Sequence, residues 1–388
     1  MSRPPVPYRK LGELFNFKNG RAFKKEEWCS EGIPIIRIQN LNNEDGSFNY
    51  YAGEYSDDIL IKNGDLLFSW SGTVGSSFGP HIWQRGKGLL NQHIFAVSFK
   101  TEMDKRYAYY ALEKITEEIE QQVNGAVGLV HITKDKLNDF TIPAPSLFEQ
   151  QRIVGVLDEA FDAIATAKAN AEKNLQNARA IFESYLNSVF IQRGEGWVEK
   201  KLSEVCAITS TLIDPRKAEF LDLTHVGAGN IESQTGIFVE LKTAREEGLI
   251  SGKFLFDESM VLYSKIRPYL MKVARPNFNG LCSADMYPLT PLPNEITRDY
   301  LFYLLLCKRF TDYAIQGSAR AGMPKVNREH LFEFKVWLPT LKKQKELSAK
   351  IDELYEETHH LESIYQLKLS ALEELKKSLL HQAFTGNL

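Results

Sequence analysis

The sequence has little that could hold a metal or form a disulfide framework. Its four cysteines, Cys29, Cys206, Cys282 and Cys307, are isolated, with no Cys-x-x-Cys pair and no histidine at metal-ligand spacing. That pattern argues against a structural zinc and leaves buried or indifferent thiols. No apolar run approaches the roughly 20 residues that span a bilayer, and the opening MSRPPVPYRK lacks the apolar stretch of a signal peptide; the expectation is a cytoplasmic protein with no membrane partner. An excess of positive charge is missing too, since 47 Lys and Arg stand against 50 Asp and Glu for a net charge of −3. Phosphate contacts need Lys and Arg, so tight nonspecific DNA binding by the chain alone is not expected. A balanced total does not report distribution, and a basic face remains compatible with it.

Catalytic signatures are also wanting. Arg85-Gly86-Lys87-Gly88 lacks both the upstream Gly and the final Ser or Thr of a phosphate loop. No Gly-x-Ser-x-Gly elbow, His-Glu-x-x-His pair or Asn-Pro-Pro-aromatic methyltransferase motif occurs. Asp158-Glu159-Ala160 lies in a helical pattern with no nucleotide loop, and the Glu-x-Lys triplets at Glu240 and Glu374 are of a kind common by chance. Chemistry, if any, is expected in partners.

What is present is a duplication. IPAPSLFEQQRIVGVLDEAF from Ile142 returns as VWLPTLKKQKELSAKIDELY from Val336. Pro145 answers Pro339, Gln150 answers Gln344, Asp158-Glu159 answers Asp352-Glu353 and Phe190 answers Phe384, all at an offset of 194 residues. Earlier, Lys10 to Leu14 answers Lys201 to Val205 at 191, which places small insertions in the globular parts. A constant, gapless offset marks a repeated structural unit, with a period far too long for a solenoid.

Stretches 156–190 and 342–385 contain neither glycine nor proline and read as long helices. Ile153, Leu157, Ala160, Ile164, Ala167, Ala171, Ala178, Ile181 and Tyr185 form one heptad-like seam. Leu347, Ile351, Leu354, Leu361, Tyr365, Leu372, Leu375 and Leu379 form the other, with Asn174, Thr358 and Lys368 as polar interruptions that would fix register. Each helix would be about 60 Å long, too long to lie on one domain of this size, so the two are expected to pair with each other. The organisation read from the sequence is a first domain at 1–149, a helix at 150–190, a linker at 191–199, a second domain at 200–341 and a helix at 342–385.

Each globular part reads as α+β. Strands are expected at Ile33–Ile38, Gly64–Ser69 and His93–Val97, then at Leu221–Val226, Ser259–Ser264 and Leu281–Leu289; helices are expected at Tyr107–Gln122 and Arg298–Ala314. The loops after the strands at Ser69 and Ser264 differ in chemistry, with Trp70, Ser71 and Thr73 in one and Lys265, Arg267 and Tyr269 in the other. A second pair of loops ends in Lys134 and in Arg320, Lys325, Asn327 and Arg328. Arg85, Asn91, Gln92 and His93 form a further polar cluster. Glycine permits close backbone approach, and Arg, Asn, Gln, Lys and His bond base edges, so these are the candidate DNA contacts. Equivalent loops with unequal side chains suit a kept scaffold with varied recognition.

PAPSLFEQQRI at 143–153, LLHQAFTG at 379–386, GDLLFSWSGTVG at 64–75 and LYSKIRPYL at 262–270 resemble the specificity subunits of type I restriction–modification systems, over essentially the whole chain. The second helix entry departs from the first, with Lys342-Lys343 in place of Phe148-Glu149. The resemblance implies two target recognition domains, each reading half of a split DNA site, separated by an antiparallel coiled coil that sets the gap. It further implies methyltransferase subunits, two of them, docked on the chain, and restriction subunits beside them. S-adenosylmethionine, ATP and Mg would belong to those partners, and this chain would hold no cofactor. The competing reading is a coiled-coil scaffold associated with DNA, which would not need two unequal domains rich in glycine and aromatics.

Overall fold

A computed structural model describes residues 6–43, 45–73, 76–122, 129–318 and 324–388. The chain forms two compact units, one of residues 1–170 with 368–388, the other of residues 171–367. Each long helix therefore contributes to both units. The helices span Leu147–Ile191 and Leu341–Thr385, 45 residues each and again offset by 194.

In the first unit, strands Phe15–Asn19, Ile94–Phe99, Leu66–Ser69 and Gly79–Ile82 form an antiparallel sheet in that order. Helix Lys105–Gln122 packs on it, closing a core around Phe17, Phe68, Phe95, Tyr107 and Leu112. A smaller sheet takes Asn49–Tyr51, Ile33–Ile36, Gly88–Leu90 and Leu60–Ile61, with the middle pair parallel. Ile153 and Leu157 of the first long helix and Leu380 and Phe384 of the second enter the larger core. The two helices run antiparallel here, with Arg152 donating to the Leu388 carbonyl and Lys168 paired with Glu373.

The second unit repeats the plan. Its sheet runs Cys206–Ala207, Met286–Pro291, Val261–Ser264, Val273–Ala274, beside a five-stranded sheet that contains Thr224–Val226 parallel to Gly280–Ser283. The run expected as one strand from Leu281 to Leu289 is two strands, parted at Ala284-Asp285. The helix expected over 298–314 is also two, Arg298–Leu306 and Lys308–Gln316, because Cys307 is extended and the Lys308 amide donates to Asn187 Oδ1 at 2.7 Å. A side chain of the long helix thus supplies a cap that starts a new helix. Leu186, Val189 and Phe190 of the first long helix and Ile351 of the second lie in this unit's core, and Arg179 with Glu362 and Phe182 with Tyr355 keep the helices antiparallel.

The seams keep Ile153, Leu157, Ala171, Ala178 and Ile351 buried, and Ile164, Leu347, Leu354, Leu372 and Leu379 half-buried. Ile181, Leu361 and Leu375 do not belong to them, being 52 %, 39 % and 46 % exposed. Phe182, Thr358 and Lys376 occupy the inward phase instead. Thr358 is buried with its hydroxyl donating to the Leu354 carbonyl, and the Lys376 ammonium pairs with Glu113 while lying 5.2 Å from the Phe161 ring. Of the polar interruptions, Thr358 faces inward whereas Asn174 and Lys368 are exposed.

Matching polar clamps fix each globular domain to its helix. Gln150 accepts from the Asp104 amide at 2.8 Å and donates to the Pro145 carbonyl. Gln344 accepts from the Thr297 amide at 2.8 Å and donates to the Pro339 and Glu295 carbonyls. Eight residues on, Asp158 takes the Arg106 guanidinium and the Tyr110 hydroxyl, while Asp352 takes those of Arg275 and Tyr303. Burial opposes the charge on Asp158, yet hydrogen bonds from Arg106 and Tyr110 hold its carboxyl below the usual value.

Buried tyrosines make the fold sensitive to base. Burial raises the hydroxyls of Tyr107, Tyr263 and Tyr300, carries Tyr109 up to about 12, and joins the neighbouring aspartates in raising Tyr110 and Tyr303. A group whose folded pKa is raised keeps its full contribution below the unfolded value, about 10 for tyrosine, and loses it as pH climbs. Stability is therefore expected to hold to about pH 10 and fall above it. Denaturant titrations at stepped pH, read with tyrosinate absorbance, test this; complete tyrosine ionisation near pH 10 with native circular dichroism would contradict it.

Candidate nucleic-acid interface

Both domains present three side chains on one repeated piece of backbone. In the first, Trp70 follows strand Leu66–Ser69, His93 precedes strand Ile94–Phe99, and His131 ends a short strand paired with Ser71. In the second, Lys265 follows Val261–Ser264, Asp285 precedes Met286–Pro291, and Lys325 bridges to Ile266. The hydrogen bonds coincide: Trp70 donates its amide to the His93 carbonyl and accepts from Ile132, as Lys265 donates to Asp285 and accepts from Val326. Ser69 and Ser264 each donate to the carbonyl two residues on. Each site then runs into a helix capped by its own side chain, Thr133 before Lys134–Asp139 and Asn327 before Arg328–Phe332.

The chemistry placed on that backbone differs. The Trp70 ring stands edge-on to His131 at 4.5 Å and 5.3 Å from His93, with its Nε1 donating to Asn19 Oδ1 and to the Gln92 carbonyl. Gln92 Nε2 is 3.0 Å from His93 Nε2. In the other copy Asp285 Oδ1 is 3.0 Å from Lys325 Nζ and 3.6 Å from Lys265 Nζ. The Tyr287 ring lies 5.3 Å from the Lys265 ammonium and 5.8 Å from the Arg328 guanidinium. Burial and the Lys325 charge lower the Lys265 ammonium, against Asp285. Burial works against Asp285 as well, but the hydrogen bond and charge of Lys325, with Lys265, hold its carboxyl below the usual range.

The comparisons follow this repeated design. The family model for the type I restriction modification DNA specificity domain matches residues 5–176 and again 194–369. The chain belongs to that family. It is 28 % identical to the type I restriction enzyme EcoDI specificity subunit of Escherichia coli, over 99 % of this chain and 89 % of that protein. It is 22 % identical to the MjaVIII specificity subunit of Methanocaldococcus jannaschii, over 98 % and 92 %. Among solved structures, one from a study of complex assembly and conformational transition of the type I R-M system shares the fold at a TM-score of 0.77 and 16 % identity, each chain covered in full. The HsdS subunit of Thermoanaerobacter tengcongensis does so at 0.62 and 17 %, over 99 % of this chain and 98 % of that one.

Within this specificity-subunit fold the remaining candidates separate. Thr73, Lys134 and Tyr269 are exposed, and Ser71, Asn91 and Gln92 half-buried beside the first cluster. Arg267 is exposed in a left-handed conformation (φ 49°), with its amide donating to the Pro324 carbonyl and its guanidinium unpaired among the described residues. A non-glycine residue held there stores strain of about 1–3 kcal/mol, a mark often found at functional loops. Arg85 does not stand free for DNA: it donates to the carbonyls of Asn40, Asn43 and Gly46 and stacks 4.2 Å from Phe48. Asn327 spends its Oδ1 on the His330 amide, as a helix cap. Arg320 lies outside the described residues, as do Val74 and Gly75. Asn19, His131 and Asp285 were not legible as site residues one by one; His131 and Lys325 share the offset of 194, and that is the signal pointing to them.

Proposed function

We propose that this chain is the non-catalytic DNA-reading subunit of a type I restriction–modification complex. Each domain reads one half of a split, asymmetric site, the paired helices set the gap, and two methyltransferase subunits dock on the assembly. Restriction subunits complete it. S-adenosylmethionine, ATP and Mg are used by those partners, which also add further basic surface to a chain whose net charge is −3. The observation that carries the reading is the pair of domains with one backbone and two chemistries at matched positions, in a chain of the specificity family. A scaffold has no use for that variation. No helix of the described residues is long and apolar enough to cross a membrane.

The test is methylation mapping of the host genome with and without the gene. A bipartite methylated motif with a fixed gap should vanish on deletion and return on complementation, while the purified chain alone transfers no methyl group. An unchanged methylome, or methyl transfer by rigorously partner-free chain, would sink the proposal.

A further inference from the structure

We propose that Lys265, Asp285 and Lys325 are the discriminating positions of the second half-site and that they select a G·C pair through the major groove. The proposal rests on the DNA-reading function above and assigns it to particular atoms. Lys325 and Asp285 are about half exposed, at 48 % and 44 % of their side chains, and Asp285 Oδ2 takes no hydrogen bond among the described residues. An open carboxylate acceptor thus sits beside an ammonium with donors to spare, 3.0 Å apart at their paired atoms. A·T also shows acceptors beside a donor in the major groove, but guanine offers one ammonium two adjacent acceptors, O6 and N7, and cytosine N4 is the donor that a carboxylate accepts from, so G·C is the better complement. Lys325 would take guanine and Asp285 cytosine. Lys265, only 15 % exposed and donating to the Ala284 carbonyl, adds positive charge 3.6 Å from the same carboxylate oxygen.

Scaffolding does not account for the ion pair. An ion pair this exposed contributes at most about 1 kcal/mol, and the first domain holds the same backbone turn with Trp70, His93 and His131 and no ion pair among those three. Charge also favours a nucleic-acid ligand. Lys265 and Lys325 both face Asp285, and Arg328 lies over the Tyr287 ring that Lys265 also approaches, in a protein whose total charge is negative.

The experiment replaces the chromosomal allele with Lys325→Ala, Asp285→Ala or Lys325→Arg and maps the methylome, with thermal melting of each purified chain as a folding control. In the first two, discrimination at one G·C position of one half-site should fall about 10- to 100-fold, with the other half-site and the gap unchanged. Lys325→Arg keeps the donors and should keep the guanine. Three outcomes overturn the assignment: an unchanged motif, lost discrimination at an A·T position, or weaker methylation at every site without loss of sequence preference, which would make Lys325 a phosphate contact. If Lys325→Ala fails to melt cooperatively, Asp285→Ala, which removes both carboxylate acceptors from a half-exposed position, decides the matter alone. A wild-type methylome with no bipartite motif would instead defeat the proposed function itself.

Discussion

Asp352→Ala is expected to destabilise the second unit by about 3 kcal/mol, and Asp158→Ala the first by only about 1 kcal/mol. The two carboxylates play the same part at repeat-equivalent positions and are 35 % and 42 % exposed for Asp158 and Asp352, so the difference comes from the burial of their arginine partners. Arg275, which Asp352 receives at 2.8 Å, is 23 % exposed and lies 4.3 Å from the Phe302 ring. Burial works against its charge, and Asp352, Tyr303 and Asp299 keep it protonated. Removing Asp352 strands a largely desolvated guanidinium and the Tyr303 hydroxyl, with Asp299 as the remaining partner. That remaining partner is why the figure stands at the low end for a broken buried pair. Arg106, the partner of Asp158, is 49 % exposed and water takes over. Hydrogen exchange along a denaturant series resolves the two units; equal losses, or a larger loss for Asp158→Ala, would contradict the argument.

Lengthening both long helices by seven residues, after Asn174 and after Leu367, is expected to lengthen the gap of the recognised site and leave both half-sites unaltered. Seven residues restore the heptad phase and add about 10 Å, which sets an upper limit of about three base pairs. Three added pairs also turn the second half-site by roughly 100° about the DNA axis, at 10–10.5 base pairs per turn, so the optimum should fall short of that limit and methylation should slow. Insertions of three or four residues rotate one helix face against the other and should abolish methylation. Methylation of a duplex library varying only in the gap provides the measurement. An unchanged preferred gap in a folded, active variant would return the helices to a purely structural part.

The long helices and the repeat are legible in the sequence because their signals are redundant, in the 194-residue offset, the absence of glycine and proline from 156–190 and 342–385, and apolar periodicity. Seam phase is harder to read. After Ala178 a step of three reaches Ile181 and a step of four reaches Phe182, both apolar; tertiary contact with Tyr355 selects Phe182. The apolar Leu375 loses the inward phase to Lys376, whose ammonium lies over the Phe161 ring and pairs with Glu113, and no hydrophobicity pattern registers a lysine turned inward in this way. The site is legible in part. Trp70 and Lys265 stand out by following a repeated strand and His93 by its polar neighbours Asn91 and Gln92, whereas Asp285 matters only because the sheet brings its distant strand end beside Lys265.

The chain's last described residues belong to its first unit, and that fixes an order of events during synthesis. Residues 368–388 supply Leu380, which is buried in the first unit's core, and Phe384, whose ring meets Tyr107 at 5.1 Å. All of 171–367 must leave the ribosome before they do. At 5–20 residues per second the first unit waits about 10–40 s with that apolar surface uncovered. The second unit needs nothing later than Leu367. The half of the molecule translated first is therefore completed last, and a chain released after residue 367 should carry a folded second unit and an unfinished first one that chaperones can hold.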